Sequence, residues 1–512
     1  MTDDLTPVLI GAGQITQREE DPHAALSPLD LTAKAARQAA DDAGAGQQLL
    51  ESLDTIVTIR SFSDTSWRFA SPFGGSKNPP KSIGDRIGAT NARRLIYTWP
   101  GGNMPQWCVN RLFEMITRGE VGAALIAGGE SLSTQKAAQR AKIDLDWSED
   151  PGGTFEHWGV ETRGWNDVEE RHRMAGAIFA YPLFENAIRG HRGNTIEAHL
   201  QEMGQLFARF AAVGAANPLA DRRQGFSATE IATVSDTNPF IGFPYTKLMN
   251  ANAFIDQAAA LILTSAGKAR ELGIPEDKWV YLHGCADAYD HWYISDRINH
   301  YSSPAMRAVG AETLEMAGCS LDDIGAFDLY SCFPSAVEIG CQELGLEEDD
   351  PRGLTVTGGL PYFGGPGNNY VTHSIAEMMQ RVRAQPGMKG MVTANGNYVT
   401  KQSGGIYSTE PPAKPFQPKP PETYQAAINV AKGPSVVETA SGPATIETYT
   451  VMHERSGPAY AILFGRDAQG RRFIANTPDD KTLLSDMARR DYLGQSGRVQ
   501  PNDDGINIFT PE

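Results

Sequence analysis

Apolar and polar positions alternate along the first part of the chain in a way that predicts strands and helices in turn. Apolar runs at 7–14, 56–59, 95–99 and 121–127 indicate buried strands, while apolar residues recur at helical spacing over 29–43 and 106–117. In the second of these helices, Val109, Leu112, Phe113 and Ile116 share one face. The succession of strand, helix and strand predicts a layered α/β fold.

The pattern changes between about 135 and 245, where Trp, Arg, His, Glu and Gln are frequent. Amphipathic stretches such as 195–210 predict that this region is a mostly helical insertion. Strand signals return at 256–264 and 279–283, and a second series follows. It comprises predicted helices at 305–317, 334–344 and 374–383 and predicted strands at 326–330 and 390–393. The two series share a loose order of elements, so an internal duplication is a hypothesis.

The chain changes character again at the proline-rich stretch PPAKPFQPKPP, which predicts a stiff boundary. Beyond it, the stretch 435–452 is rich in Thr, Val and Ala, and apolar runs on either side of the turn at 467–470 predict a β-hairpin. The predicted domains are an N-terminal half at 1–275 with its insertion at about 135–245, a second half at 276–410, a linker at 411–422 and a β-rich C-terminal domain at 423–512.

Composition and charge narrow the class of protein. The formal charge of -17, without a basic block, argues against nucleic-acid binding. No apolar run approaches the roughly 18–20 residues needed to span a bilayer, and the acidic start MTDDLTPVLIGAG does not have the pattern of a secretory signal. The 5 cysteines are scattered and lack metal-ligand spacing, which favours a reducing cytoplasm and no metal site.

Several stretches resemble motifs of the thiolase superfamily, and most of all the sterol-carrier-protein-type thiolases and bacterial thiolase-like proteins. In chain order they read PVLIGAGQ, RGEVGAALIAGGESLS, FIDQAAALILTS, DLYSCF and GGLPYFGGPG. The resemblance spans roughly residues 5–410 and implies duplicated α/β layers with a helical insertion. The proline linker and β-rich tail resemble the small additional C-terminal domain of one thiolase-like subgroup.

The resemblance also implies a chemistry, in which a Cys at a helix N-terminus takes an acyl group from coenzyme A. A His in a Gly-His-Pro loop activates this Cys, and a second Cys acts as acid and base. Here the nucleophile position falls near Gly102 or Asn103, Gly365 replaces the His, and the second Cys is missing near Asn395. Cys108 lies inside the helix and is interpreted as a buried small hydrophobe, with a local shift that brings it to the active site as the alternative.

Other polar residues near these positions are candidates for catalysis. Tyr330 stands where the family has Asn or His, so it could act as an acid or oxyanion donor, or pack its ring. His373 could act as a base or begin a helix, and Asn395 could donate to an oxyanion or form a turn. Cys332 is the best-placed thiol, although the motif uses it as a spacer. The residues predicted to hold substrate or coenzyme A are Gly102, Asn103, Gly364, Gly365, Gly367, Asn368 and Gly396.

Two classes of function remain open, a catalytic one and a non-catalytic one. One is an acyltransferase of the acetyl-CoA acetyltransferase type, or a carbon–carbon lyase such as a retro-aldolase, acting on a coenzyme A thioester or β-keto acid. The alternative is a non-catalytic protein that binds acyl-CoA or a lipid, or a scaffold that works through its C-terminal domain. Coenzyme A is expected as a substrate or ligand rather than a tightly bound cofactor. The resemblance implies a homodimer, whereas the insertion and additional domain favour a monomer.

Overall fold

A computed structural model describes residues 3–512 of the chain; Met1 and Thr2, where the acidic start and the predicted first half begin, lie outside the described residues. The strands are β1 (Pro7–Thr16), β2 (Thr55–Thr58), β3 (Arg94–Thr98), β4 (Ala123–Ser131), β5 (Glu156–Trp158), β6 (Phe240–Gly242), β7 (Tyr245–Thr246), β8 (Asp256–Ser265), β9 (Tyr281–Tyr289), β10 (Ile324–Asp328), β11 (Lys389–Gly396), β12 (Lys401–Ser408), β13 (Gly442–Glu454), β14 (Gly457–Asp467), β15 (Arg472–Asn476), β16 (Ser496–Pro501) and β17 (Asn507–Pro511). The helices are α1 (Pro28–Asp42), α2 (Gly46–Ser52), α3 (Pro79–Ile87), α4 (Met104–Thr117), α5 (Leu132–Ala141), α6 (Asp167–Arg171), α7 (Ala177–Arg192), α8 (Ile196–Ala216), α9 (Ala228–Ala232), α10 (Ala266–Glu271), α11 (Pro304–Ala317), α12 (Pro334–Leu344), α13 (Gly359–Tyr362), α14 (Tyr370–Ala384), α15 (Glu422–Val430) and α16 (Lys481–Met487).

Two sheets and three helical layers form the α/β body. The first sheet has the order β1-β8-β4-β2-β3-β5, and the second has the order β10-β11-β12-β9. Helix α1 covers the first sheet, α11 covers the second, and α4 and α14 lie between them in contact with both. The α/β layering predicted from the apolar pattern is confirmed.

Helix α4 shows why the middle layer forms. Pro105 lies in its first turn, where the missing N–H group costs nothing. Val109, Leu112 and Phe113 are fully buried, as the predicted apolar face requires. Burial of each such side chain contributes about 1.5–3 kcal/mol. Packing between two sheets therefore holds the N-terminus of α4 in the interior of the protein.

The second sheet differs from the prediction at one strand and one helix. The strand predicted at 326–330 ends at Asp328, and the helix predicted at 374–383 begins earlier, at Tyr370. One carboxylate accounts for both differences, because Asp328 accepts hydrogen bonds from Tyr370 and Ser374 of α14 and from the N–H of Val356. These bonds draw the chain out of the sheet after Asp328 and hold the first turn of the helix.

The last strands form a small barrel that docks onto the insertion. Its strand order is β14-β15-β17-β16-β13, and β13 also pairs with β14, so the sheet closes. The parallel pairing of β15 with β17 is that of an OB-type barrel. Strand β6 of the insertion extends the sheet beyond β13, and Asn186 of α7 donates to the backbone oxygen of Tyr449. The hairpin predicted around 467–470 is confirmed as β14 and β15.

Candidate active site

The turn before α4 is where the resemblance implies the nucleophile. Gly102 lies in this turn, and atoms of other segments pack closely against it. A Cβ atom added to Gly102 would overlap the hydroxyl oxygen of Tyr330 and lie 2.6 Å from the backbone oxygen of Asn395. Both separations are shorter than the optimal packing distance of about 3.5–4.0 Å between non-bonded atoms. The fold thus brings Gly102, Tyr330 and Asn395 together, and the Tyr330 hydroxyl fills the space of the missing side chain.

Tyr330 reaches this position from the segment after β10. Its N–H donates to Oγ1 of Thr393 at 3.1 Å, and its ring packs edge-on against Tyr370 with centroids 5.8 Å apart. The residue is 9% exposed, and burial raises the pKa of the phenol well above its ordinary value of 10.0. The hydroxyl is therefore protonated at neutral pH and is able to donate a hydrogen bond to developing negative charge.

Asn395 is held by the insertion as well as by its own strand. The N–H of Val399 donates to its amide oxygen at 3.1 Å, and the hydroxyl of Tyr181 lies 3.3 Å from the same amide group. Tyr181 belongs to α7 and stacks on Phe333 with centroids 4.5 Å apart. Sequence analysis did not find Tyr181, because it lies 214 positions from Asn395 and no local pattern links the two.

The cysteines nearest the candidate site are protonated thiols. Burial raises the pKa of Cys332 to about 12, although a hydrogen bond with Tyr181 acts to lower it. Cys108 is fully buried on α4, as the sequence analysis interpreted it, and burial raises its pKa well above 9.0. A thiolate is the reactive form of cysteine, so neither environment favours nucleophilic attack.

Lys401 adds a second polar group to the site. Its ammonium donates to the backbone oxygen of Pro100 and lies 2.6 Å from the position of a Cβ atom on Gly101. Burial lowers the pKa of Lys401 to about 8, which is the range of a proton-transfer group. From the sequence, Lys401 is either a contact for a carboxylate or phosphate or a solvated lysine; its burial was not predictable, because it depends on the packing of β12.

Asn103 and Gly396 lie beside this lysine. A Cβ atom on Gly396 would lie 2.7 Å from Oδ1 of Asn103, whose Nδ2 group donates to Ser403 at 3.5 Å. Among the described residues, Oδ1 of Asn103 is buried without a hydrogen-bond partner. Asn103 and Gly396 therefore lie next to the turn at Gly101, where Oδ1 of Asn103 is a hydrogen-bond acceptor without a donor.

The glycine-rich loop after α13 connects this site to the first sheet. Asn368 accepts from the N–H of Gly101 at 3.0 Å and donates to the backbone oxygen of Arg60 at 2.8 Å. Gly364 packs against the side chain of Gln257, and the N–H of Gly365 donates to the backbone oxygen of Asn252 at 2.9 Å. Asn368 therefore touches the candidate turn, whereas Gly364 and Gly365 contact Gln257 and Asn252 of the first half.

His373 lies inside α14. Its Nδ1 atom is 2.9 Å from Oε1 of Gln14, and its ring packs edge-on against Phe363. Burial lowers the pKa of His373 to about 3, so the imidazole is neutral. These contacts are with Gln14 and Phe363 rather than with Tyr330 or Asn395.

A cavity of about 330 Å³ lies near the other side of the glycine-rich loop. Its walls include Asp64, Tyr97 and Glu130. Burial raises the pKa of Glu130 to about 8, and the N–H of Phe62 donates to its carboxylate at 2.7 Å. The same carboxylate fills the space that a Cβ atom on Gly367 would need. Glu130 lies next to the last residue of β4, and the local sequence GGES does not distinguish a buried carboxylate from an exposed one.

Solved structures establish the class to which this fold belongs. An acetyl-CoA acetyltransferase from Syntrophomonas wolfei matches with 16% identity and a TM-score of 0.54, over 79% of this chain and 99% of its own. The Ltp2-ChsH2(DUF35) aldolase matches with 18% identity and a TM-score of 0.57, over 79% of this chain and 98% of its own. At this identity the likeness concerns the fold alone, which is that of a thiolase.

A nearer relative defines the family. The crystal structure of a monomeric SCP2-thiolase like protein type 1 from Mycobacterium smegmatis is 35% identical, with a TM-score of 0.86 over 100% of both chains. Residues 424–504 match the family model of the thiolase-like protein type 1 additional C-terminal domain. The chain therefore belongs to the SCP2-thiolase-like proteins of type 1, and both the predicted superfamily and the predicted fold class are confirmed.

Two further comparisons complete the description. No curated protein sequence matches the chain. Among residues 3–512, the structure contains no helix with the length and apolar character needed to cross a membrane.

Proposed function

We propose that this protein is a carbon–carbon lyase that acts on a coenzyme A thioester or a β-keto acid without forming an acyl-enzyme. One observation carries the proposal: the Tyr330 hydroxyl occupies the space of the nucleophile's side chain at Gly102. Acyl transfer through a cysteine needs a thiolate, and burial keeps Cys332 and Cys108 protonated. A reaction through an enolate needs a proton donor and an acceptor instead.

Both substrate types lead to the same intermediate. In a β-hydroxyacyl thioester, a base takes the hydroxyl proton, the Cα–Cβ bond breaks and an aldehyde or ketone leaves. In a β-keto acid, the bond to the carboxylate breaks and carbon dioxide leaves. The electron pair remains on the other fragment as an enolate, which takes a proton at carbon to give the product. A donor aimed at the enolate oxygen accelerates both reactions.

The roles follow from the contacts of each residue. Tyr330 donates the hydrogen bond to the enolate oxygen, because its phenol is protonated and its hydroxyl lies against Gly102 in the turn before α4. Asn395, held by Tyr181, orients the carbonyl group. Lys401 serves as the base, because its pKa of about 8 leaves a fraction neutral near pH 7. Cys332 has no role in this proposal because its thiol is protonated, and His373 has none because its contacts are with Gln14 and Phe363.

We also propose a monomer in the cytoplasm. Strand β5 of the insertion pairs with β3 and covers that edge of the first sheet. The related protein from Mycobacterium smegmatis is described as monomeric. The five cysteines are free thiols, which persist in a reducing compartment. Sedimentation velocity tests the oligomeric state: a concentration-independent monomer is expected, and a stable dimer would contradict it.

The decisive experiment offers the protein a panel of β-hydroxyacyl-CoA and β-ketoacyl-CoA thioesters and β-keto acids. Products are followed by mass spectrometry, and the intact protein is weighed for an acyl adduct. We expect turnover of at least one compound without an adduct. Turnover through an adduct on a cysteine would contradict the proposal. Saturable thioester binding without turnover would favour the second candidate, a binding protein, for which the close cover over Gly102 is the supporting observation.

A further inference from the structure

A buried cluster of metal-ligating side chains lies away from the turn at Gly102, between the insertion and the α/β body. It consists of Glu185 on α7, His199 on α8 and Glu338 on α12. Glu185 and His199 are 0% exposed, and Glu338 is 1% exposed. One ligand atom from each residue lies within 4.8 Å of the others.

Glu338 is the member that points to a missing ligand. Both of its carboxylate oxygens are buried, and neither has a hydrogen-bond partner among residues 3–512. An unpaired buried carboxylate is costly. Arg192 lies nearby, with its Nη1 atom 3.9 Å from Glu338, but its guanidinium donates to Glu348. Glu338 therefore faces the cluster without a hydrogen-bond donor, and its carboxyl group lies against that of Glu185.

The other two residues present suitable atoms. Nε2 of His199 lies 2.5 Å from Oε1 of Glu185, and the second oxygen of Glu185 accepts a hydrogen bond from Tyr245 at 2.6 Å. One oxygen of Glu185 and one nitrogen of His199 thus face the same point as Glu338. A cation between them would move these two atoms apart by roughly 0.5–1 Å, because metal–ligand bonds are about 2.0–2.2 Å long.

One ligand of the cluster has an outer contact of the kind that supports metal ligands in proteins. Nδ1 of His199 has no hydrogen-bond partner among the described residues, and the carboxylate of Glu202 lies 3.7 Å from it. The Tyr245 hydroxyl that donates to Glu185 is itself 2.7 Å from Oγ of Ser335. These two contacts hold the second oxygen of Glu185 and direct its first oxygen towards His199 and Glu338.

The charges also favour a cation. Four carboxylates, those of Glu185, Glu202, Glu338 and Glu348, lie around the guanidinium of Arg192. The guanidinium of Arg189 also acts on His199, but it pairs with Asp491 at 2.7 Å. A neutral imidazole adds no positive charge.

We propose that Glu185, His199 and Glu338 bind a divalent transition-metal cation of the Zn²⁺ class. One imidazole with two carboxylates suits Zn²⁺ or Mn²⁺ better than Mg²⁺ or Ca²⁺, which prefer oxygen ligands alone. The ion ties α7 and α8 of the insertion to α12 of the body. Because Tyr181 lies on α7 one turn before Glu185, the ion also steadies the contact of Tyr181 with Asn395.

The test uses the full-length protein after treatment with a chelator. Zn²⁺ and, separately, Mg²⁺ are added by equilibrium dialysis, bound metal is counted by mass spectrometry, and Co²⁺ serves as a spectroscopic probe of ligand number. The variants are Glu338→Gln and His199→Gln, with Glu197→Gln as the matched control, since Glu197 is exposed on the same helix as His199. Glu338→Gln keeps the size of the side chain and removes a buried charge, so it is expected to fold.

The proposal predicts one Zn²⁺ per chain, a raised melting temperature on addition of Zn²⁺, and no comparable effect of Mg²⁺. Affinity should fall at least about tenfold in both cluster variants and remain unchanged in Glu197→Gln. The proposal is overturned if Zn²⁺ does not bind, or if Glu338→Gln binds it as the unaltered protein does. Failure to bind Zn²⁺ together with a more stable Glu338→Gln variant would identify a proton shared by the two carboxyl groups instead.

Discussion

The hydroxyl group of Tyr330 occupies the position that a side chain on Gly102 would take. Gly102 belongs to the first half of the α/β body and Tyr330 to the second, 228 positions later in the chain (330 less 102). In a thiolase-like fold, the side chain of a cysteine at position 102 and the hydroxyl of a tyrosine at position 330 would need the same space. Gly102 and Tyr330 are therefore one coupled change rather than two separate losses.

A double-mutant cycle tests this coupling. Gly102→Cys is expected to destabilise the protein by about 1–3 kcal/mol, because the added atoms overlap the Tyr330 hydroxyl. In a Tyr330→Ala background the penalty should be smaller, since the space is then free. Urea unfolding measures both penalties. Equal penalties in the two backgrounds would show additive sites and contradict the coupling.

Removal of the phenol tests the donor role of Tyr330. In Tyr330→Phe, we expect kcat to fall by about 10²–10³-fold on any substrate that the protein turns over, because one donor to the enolate oxygen is lost. Tyr362→Phe is the matched control: Tyr362 is also buried, and its hydroxyl has no hydrogen-bond partner in the described residues. Steady-state kinetics decide the matter, and an unchanged kcat in Tyr330→Phe would remove the residue from the mechanism.

Thiol reactivity tests the absence of a cysteine nucleophile. Burial raises the pKa of all five thiols, those of Cys108, Cys285, Cys319, Cys332 and Cys341. Among them, only Cys319 is partly exposed. In the folded protein, iodoacetamide should therefore label Cys319 slowly and spare the rest, whereas all 5 cysteines react in urea. Peptide mass spectrometry locates the label, with Cys319→Ser as control. Rapid labelling of Cys332 in the folded protein would revive an acyl-enzyme mechanism.

Lys401 gives a prediction about pH. Below about pH 8 its ammonium is charged in both the folded and the unfolded state, and burial makes this costly. Between about 8 and the ordinary value of 10.5, the folded protein releases the proton while the unfolded chain keeps it. The unfolded state then binds more protons, so the stability contribution rises with pH, by up to about 3 kcal/mol.

The comparison is between the unaltered protein and Lys401→Met, whose free energies of unfolding are measured from pH 7 to 10.5. Lys432→Met is the control, because Lys432 is exposed. The difference between Lys401→Met and the unaltered protein should change across this window, and that for Lys432→Met should stay constant. A constant difference for both would mean that Lys401 is not perturbed and is a poor candidate for a base.

Arg472 gives a prediction about how the C-terminal barrel docks. It is 0% exposed, pairs with Glu447 at 2.6 Å and donates to the backbone oxygen of Ser295 at 3.0 Å, so it joins the barrel to the body. Arg472→Met removes the buried partner of Glu447 and the donor to the Ser295 oxygen, leaving Glu447 with Arg466 and His300, and should cost about 3–5 kcal/mol. Arg466→Met removes a more exposed partner of Glu447 and should cost no more than about 1 kcal/mol. Equal costs would contradict the docking role.

Much of the fold was predictable because its signals are local. The apolar face of α4, the strand at β4 and the hairpin β14–β15 each follow from a few consecutive residues whose periodicity matches one type of element. The boundary of β10 was not predictable in this way. Its end depends on hydrogen bonds that Asp328 accepts from residues 28 and 46 positions later.

The sequence by itself determined the class of the fold, the order of its motifs and the loss of the usual cysteines and histidine. It also indicated Gly102, Tyr330 and Asn395 as candidate site residues, because a position in a motif can be identified from the sequence without a structure. Tertiary packing decided which of the named residues meet. It placed Tyr330 over Gly102, brought Tyr181 of the insertion to Asn395, and directed His373 towards Gln14. Burial of Lys401 and Glu130, and hence their pKa values, also depends on distant segments. The contacts and the desolvation of a residue depend on its neighbours in space, and the order of residues in the sequence does not identify those neighbours.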